Sequence, residues 1–128
     1  MSIASDVRDY IEDTTSLANI GLDSFGSTVN TMIVRSDPSP ANLQEFIDGS
    51  YEGNQQLTVY ARNTKPDTAQ SNLEAVRAAV DKKEIELTGV GVAKVMASST
   101  VSFVNKETSG EFIYSTTVDV LFNGNNPF

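Results

Sequence analysis

An α+β fold is what this sequence predicts: a single, mainly antiparallel β-sheet with two principal helices packed on it and a closing C-terminal β-hairpin. Three observations carry that expectation. The first is residues 100–122, two arms around a polar loop that ends in Gly110. In the second arm Phe112, Tyr114, Thr116, Val118, Val120 and Phe122 stand at alternate positions, and alternate residues of a strand share one face. Val101 and Phe103 supply the matching face of the first arm. The second is a pair of helical stripes, Ile3-Val7-Tyr10-Ile11 and Ala69-Leu73-Val76-Val80, at three- and four-residue spacing. The third is a set of short runs rich in Val, Ile and Thr, bounded by Gly, Pro and Asp.

The elements follow in order. Residues 2–13 form a helix with Ser2 as N-cap and Asp6, Asp9, Glu12 and Asp13 off the apolar face. Residues 14–27 are a connector anchored by Leu17, Ile20 and Leu22, with room for a short strand around Ile20. Residues 28–35 form a strand, ended by Pro38 and Pro40. Residues 41–47 suit one or two helical turns that tuck Leu43, Phe46 and Ile47 inward, and Asp48-Gly49-Ser50 is a turn. Residues 51–63 hold the next strand, with Leu57, Val59 and Ala61 on one face and Thr58, Tyr60 and Arg62 on the other. A helix over 67–82 opens with Asp67 and Gln70 as a capping box, Pro66 just outside and Lys82 and Lys83 at the negative end of its dipole. Residues 85–96 are strand-like, with a bulge or bend at Gly89-Val90-Gly91. The sheet is therefore expected from residues 28–35, 55–62, 91–96, 101–105 and 111–122, and residues 123–128 are expected to be a loose tail.

Composition narrows function. The chain has 128 residues, the size of one domain over 1–128 with a real core. It has no Cys, His or Trp. That removes disulfides, thiolate nucleophiles, zinc–thiolate sites and the Ser-His-Asp arrangement together. Seventeen acids against nine bases give a net charge of −8. Such a surface repels nucleic acid unless its bases cluster, and these are scattered from Arg8 to Lys106. The opening residues are too polar for a signal peptide, and no apolar run approaches ~18 residues, so cytoplasm and no membrane span are expected.

Carboxylate chemistry is the enzymatic option left. Glu84 with Glu86, or Asp48 with Glu52, could be posed as acid and base, but nothing in their spacing sets the separation that glycosidase-type work needs. Asp6, Asp9, Glu12 and Asp13 could face a hard cation, yet one helix rarely converges six or more oxygens, so a solvated acidic face is the plainer reading. Gly89 and Gly91 lack the third glycine and the Gly-Lys-Ser/Thr of phosphate loops. Tyr51, Tyr60, Tyr114 and the phenylalanines lack the flanking bases of a nucleic-acid-binding sheet. No catalytic, cofactor-binding or metal-ligating residue is assigned, and no cofactor is expected.

The order of elements and its short phrases resemble a known family. A strand ending Met32-Ile33-Val34-Arg35-Ser36 precedes a Pro-containing segment and Phe46-Ile47-Asp48-Gly49-Ser50. Then come Leu57-Thr58-Val59-Tyr60-Ala61-Arg62, the helix with Ala69, Leu73 and Val76, a strand and the closing hairpin. Over residues 2–122 this is similar to the tail terminator, or minor capsid, proteins of long-tailed bacteriophages. The resemblance implies a homo-hexameric ring on the head-proximal end of the tail tube. The ring would stop tube growth, join the tail tube protein to the head connector, and let DNA through without specific binding, with no chemistry and no membrane. Another head–tail connector or tail-tube subunit, and a small acidic protein-binding or inhibitor domain, stay open beside it. Two further expectations follow. Residues 36–53, with two prolines and no long periodicity, would be an interaction arm that orders on assembly. The acids of 6–13 and Glu84/Glu86 are candidates to line the hole.

Overall fold

The computed structural model describes residues 3–15, 17, 20–22, 30–36, 42–45, 50–87 and 91–125. Across them the chain runs α1 (Ile3–Thr14), β1 (Gly21–Leu22), β2 (Met32–Ser36), β3 (Asn42–Glu45), β4 (Ser50–Asn63), α2 (Pro66–Val80), β5 (Lys83–Leu87), β6 (Gly91–Ala97), β7 (Ser102–Lys106) and β8 (Phe112–Asn125). β4 and β8 are each 14 residues long and pair antiparallel throughout, from Ser50 opposite Asn125 to Asn63 opposite Phe112. The outer edge of β4 carries β2 and β3 in tandem, and that of β8 carries β6 and β7. β1 adds parallel to β2, and β5 antiparallel to β6. The result is an eight-stranded, mainly antiparallel sheet with two helices, the α+β class expected.

Both stripes do what their spacing demands. Val7 and Ile11 of α1, and Ala69, Leu73, Val76 and Val80 of α2, are fully enclosed. They meet Val34, Leu57, Val59, Val95, Val118 and Val120 from the sheet, while Ile3, Tyr10, Leu17 and Leu22 close the rim. β4 alternates as its sequence requires, with Leu57, Val59 and Ala61 toward the helices. Ile20 is buried and leads into β1, the short strand expected there.

The start of α2 differs from expectation. Pro66 occupies the first helical position, where its missing N–H breaks no bond, and Lys65 becomes an N-cap without a side-chain hydrogen bond. The Asp67–Gln70 box therefore does not form, and Asp67 sits inside the first turn. At the other end the Asp81 N–H donates to the Arg77 carbonyl at 2.9 Å, and Lys82 takes a positive φ of 60°. The two lysines thus belong to the turn and to β5, not to the helix end.

Four strand expectations need correction. Residues 85–96 are not one bent strand: β5 and β6 pair antiparallel, so the chain reverses between them, and Ile85 and Leu87 form a buried row of their own. Residues 42–45 are strand, not helical turns, because the first half of β4 offers them a partner. Residues 123–125 are not a tail; Gly124 and Asn125 pair with Tyr51 and Ser50, since a long partner strand outweighs weak local propensity. β7 is not half of an apolar face: all five of its residues are exposed, because the helices pack on β2, β4, β5, β6 and β8. Ser2, the prolines at 38 and 40, Phe46–Gly49 and Gly89–Val90 lie outside the described residues.

The turn between β7 and β8 is as its composition predicts. The Gly110 N–H donates to the Glu107 carbonyl at 2.9 Å, the Glu107 N–H donates to the Glu111 carbonyl at 2.8 Å, and Gly110 has φ 93°. A Cβ added at Gly110 meets nothing within 4 Å, so only the backbone conformation opposes a side chain. Gly110→Ala is expected to lower stability by about 1–2 kcal/mol, the strain of a positive φ, as a downward shift in the urea midpoint. An unchanged midpoint would mean that the turn relaxes freely.

Candidate assembly surface

Among the described residues the helices pack on one face of the sheet only. On the other face Ile33, Thr58 and Ile113 are closed to solvent, but toward β6 the cover ends. There Val92, Met96 and Leu121 are 58, 36 and 39% exposed. On β7, Phe103 is 57% and Val104 45% exposed; Phe103 pairs with Tyr114 and so lies on the helix side of the sheet, beyond the helices' cover. Phe103 stands edge-on to Tyr114, with ring centroids 5.5 Å apart, and the Lys106 ammonium lies 5.1 Å from the centre of the Phe112 ring. Scattered apolar side chains are ordinary on a protein surface; Val92, Met96 and Leu121 share one face of two paired strands, which suits contact.

Short polar contacts keep β8 continuous where β6 gives way to β7. The Ser98 N–H donates to the Thr117 carbonyl at 3.0 Å, and the Thr117 N–H donates to Ser99 Oγ at 2.9 Å. Thr116 Oγ1 donates to the Ser99 carbonyl at 3.0 Å. Side chains thus replace the missing rungs of the ladder, which is why Thr116 can be buried at no loss of hydrogen bonding.

Two of the α1 acids singled out in the sequence have contacts of their own. Glu12 accepts the Ile20 N–H at 2.9 Å and so fixes the exit from α1. Asp9 pairs with Arg8 at 3.2 Å, and Asp13 is exposed. Among the described residues no group of three or more His, Cys, Asp or Glu could hold a metal ion. Glu84 and Glu86 are exposed on β5, on the face opposite Ile85 and Leu87, and Glu84 stands opposite Lys94. Asp48 lies outside the described residues, and the backbone of Glu52 pairs with Gln44. A shallow groove at the end of α2 is lined by Glu74, Arg77, Ala78, Asp81, Lys83 and Ala97. Its charges are already engaged in part: Arg77 pairs with Glu74 at 3.2 Å, and Asp81 accepts the Ala97 N–H at 3.1 Å.

One polar cluster was not legible in the sequence. Arg62, whose side chain is 11% exposed, reaches Glu107 at 3.4 Å and Glu111 at 3.6 Å. Glu111 also accepts the N–H of Asn30 at 3.1 Å, and Asn30 holds a positive φ of 58°. The cluster joins the approach to β2, the end of β4 and the β7–β8 turn. Alternation places Arg62 on the face away from the helices, but nothing local indicates that Glu107 and Glu111 meet it. Among the described residues no helix is long and apolar enough to cross a membrane.

No protein-family model and no curated relative matches the chain. Solved structures do. A chain in the virion of a native gene transfer agent particle superimposes with a TM-score of 0.69, covering 96% of each chain at 11% sequence identity. At that identity the likeness establishes a shared fold over nearly the whole chain.

Proposed function

We propose that this chain, as one domain over residues 1–128, is a structural protein of a phage-like virion and serves as a tail terminator. In this reading it forms a ring on the head-proximal end of the tail tube, stops tube growth and presents the head-joining surface, after assembly in the host cytoplasm. Its partners are further copies of itself, the tail tube protein and a head connector. The observation that supports it most is the fold shared over 96% of both chains with a chain of the gene transfer agent virion. The absence of His and Cys from the sequence favours a role without chemistry. The exposed apolar residues of β6, β7 and β8 suit a protein that works by contact.

Charge fits passage of DNA. Non-specific DNA affinity comes from phosphate contacts with Lys and Arg. A ring of chains at −8 each offers the duplex few of them. The expected result is no gel-shift of linear DNA at about 0.15 M salt, and assembly that rises with salt as like charges are screened. Tight, salt-sensitive DNA binding would contradict this reading. The functional test is deletion of the gene in its phage or phage-like element. Tails of uncontrolled length that fail to join heads are expected. Normal-length tails would point to a different connector role, and electron microscopy of purified protein without rings under any salt would point to a small binding domain.

A further inference from the structure

The two edges of the sheet are stepped, and the steps match. Through the registers, Lys83 to Ile85 of β5 stand level with Val120 to Phe122 of β8, and β5 projects one strand beyond β6 there. Lower on the same edge, β7 stands level with residues 112–115 of β8 and, among the described residues, has no strand outside it. The opposite edge is the complement. β1 projects beyond β2 at the level of Ser115 and Thr116, whereas β3, level with Leu121 to Gly124, has no strand outside it. Each projecting strand therefore faces, across a head-to-tail contact, the recess of the next copy: β5 and β3 share the levels of Leu121 to Gly124, and β1 and β7 meet end to end at the level of Ser115.

We infer that copies of this chain join edge to edge, β7 of one pairing with β1 of the next and β5 with β3, so that the sheet runs on from subunit to subunit. This rests on the ring reading above. The strand directions agree: with copies side by side, β7 meets β1 antiparallel and β5 meets β3 parallel, both ordinary pairings. The contact is heterologous, the kind that closes into rings. Charge favours the β7 side as the anchor. Residues 97–106 hold no acid and one Lys in a chain of net −8, so this is a stretch of edge where copies approach with little repulsion. The β5 side brings Glu84 and Glu86 toward a strand that carries Glu45, so salt strengthens the junction.

Cysteine cross-linking tests this in a chain that has no native thiol. Ser102 and Gly21 are both level with Ser115, so Ser102 of one copy would face Gly21 of the next. Within one chain they lie at opposite edges, four strand spacings or roughly 19 Å apart, beyond the reach of a disulfide. The double variant Ser102→Cys with Gly21→Cys is expected to give, on oxidation, a ladder of covalent multimers that reductant removes. Each single variant is expected to give no covalent multimer. Adding Val104→Asp, at an exposed position of β7, should abolish the ladder while leaving the monomer's melting curve in place. Dimers from Ser102→Cys alone would overturn the proposal in favour of β7 pairing with itself. Rings seen by electron microscopy without a ladder would overturn the edge pairing and leave the ring. A ladder without rings would support the pairing and overturn the terminator ring.

Discussion

Val76→Asp is expected to leave no folded protein at 25 °C. Val76 is fully enclosed in the α2 stripe, between the helix and the sheet. The substitution forfeits the roughly 1.5–3 kcal/mol from burying an aliphatic side chain. It also puts a carboxylate where no partner stands, at a cost of several kcal/mol more. A domain's whole stability is only about 5–15 kcal/mol. Leu73→Ala, one turn away and equally enclosed, removes atoms without adding charge and is expected to cost about 2–5 kcal/mol. Circular dichroism through a urea titration separates the two outcomes. A cooperative transition and native helix signal in Val76→Asp would show that this stripe does not face the core.

Arg62→Met is expected to cost about 3 kcal/mol, the low end for breaking a buried ion pair. The Glu111 side chain is only 8% exposed, and the guanidinium lies 3.6 Å away. Without it the carboxylate keeps only the Asn30 N–H as a neighbouring donor among the bonds described above. If that is the cause of the loss, removing the charge as well should restore part of it. Arg62→Met with Glu111→Gln is therefore expected to be more stable than Arg62→Met alone, because Gln still offers Asn30 an acceptor. A double-mutant cycle measures this coupling. Strictly additive losses would mean that Arg62 stabilises the fold through packing alone.

What could be seen in the sequence was whatever depends on one element and the core. The Ala69-Leu73-Val76-Val80 stripe and the Leu57-Val59-Ala61 alternation each point one way, because burial acts on every third, fourth or second residue alike. The turn at Gly110 was legible for a similar local reason, since few other residues tolerate its φ. What escaped depends on partners distant in the chain. Asn42–Glu45 and Asn123–Asn125 have weak strand propensity and become strands only because β4 passes beside them. Phe103 sits on an alternating arm but beyond the reach of either helix, so pattern alone could not reveal its exposure. The Arg62–Glu111 contact joins residues from separate strands, and no spacing rule connects them. The candidate surface was the least legible part, because an exposed strand edge leaves no periodicity of its own.

The full-length pairing of β4 with β8 also governs how the chain must fold. Asn63 meets Phe112 at the near end of the pair, about 50 residues later in the chain, so a long loop has to close before the central rungs form. Such a high contact order favours slow folding, and α2 and the β5–β6 hairpin, which are local, can form first. During synthesis at about 5–20 residues per second, β4 emerges and waits roughly 2.5–10 s for its mate. In that interval β2 and β3, made earlier, can pair along one edge of β4, while its other edge, the one β8 will take, has no partner. The early half of β4, Glu52-Gly53-Asn54-Gln55-Gln56, is polar and charged, which makes it a poor template for aggregation while it waits.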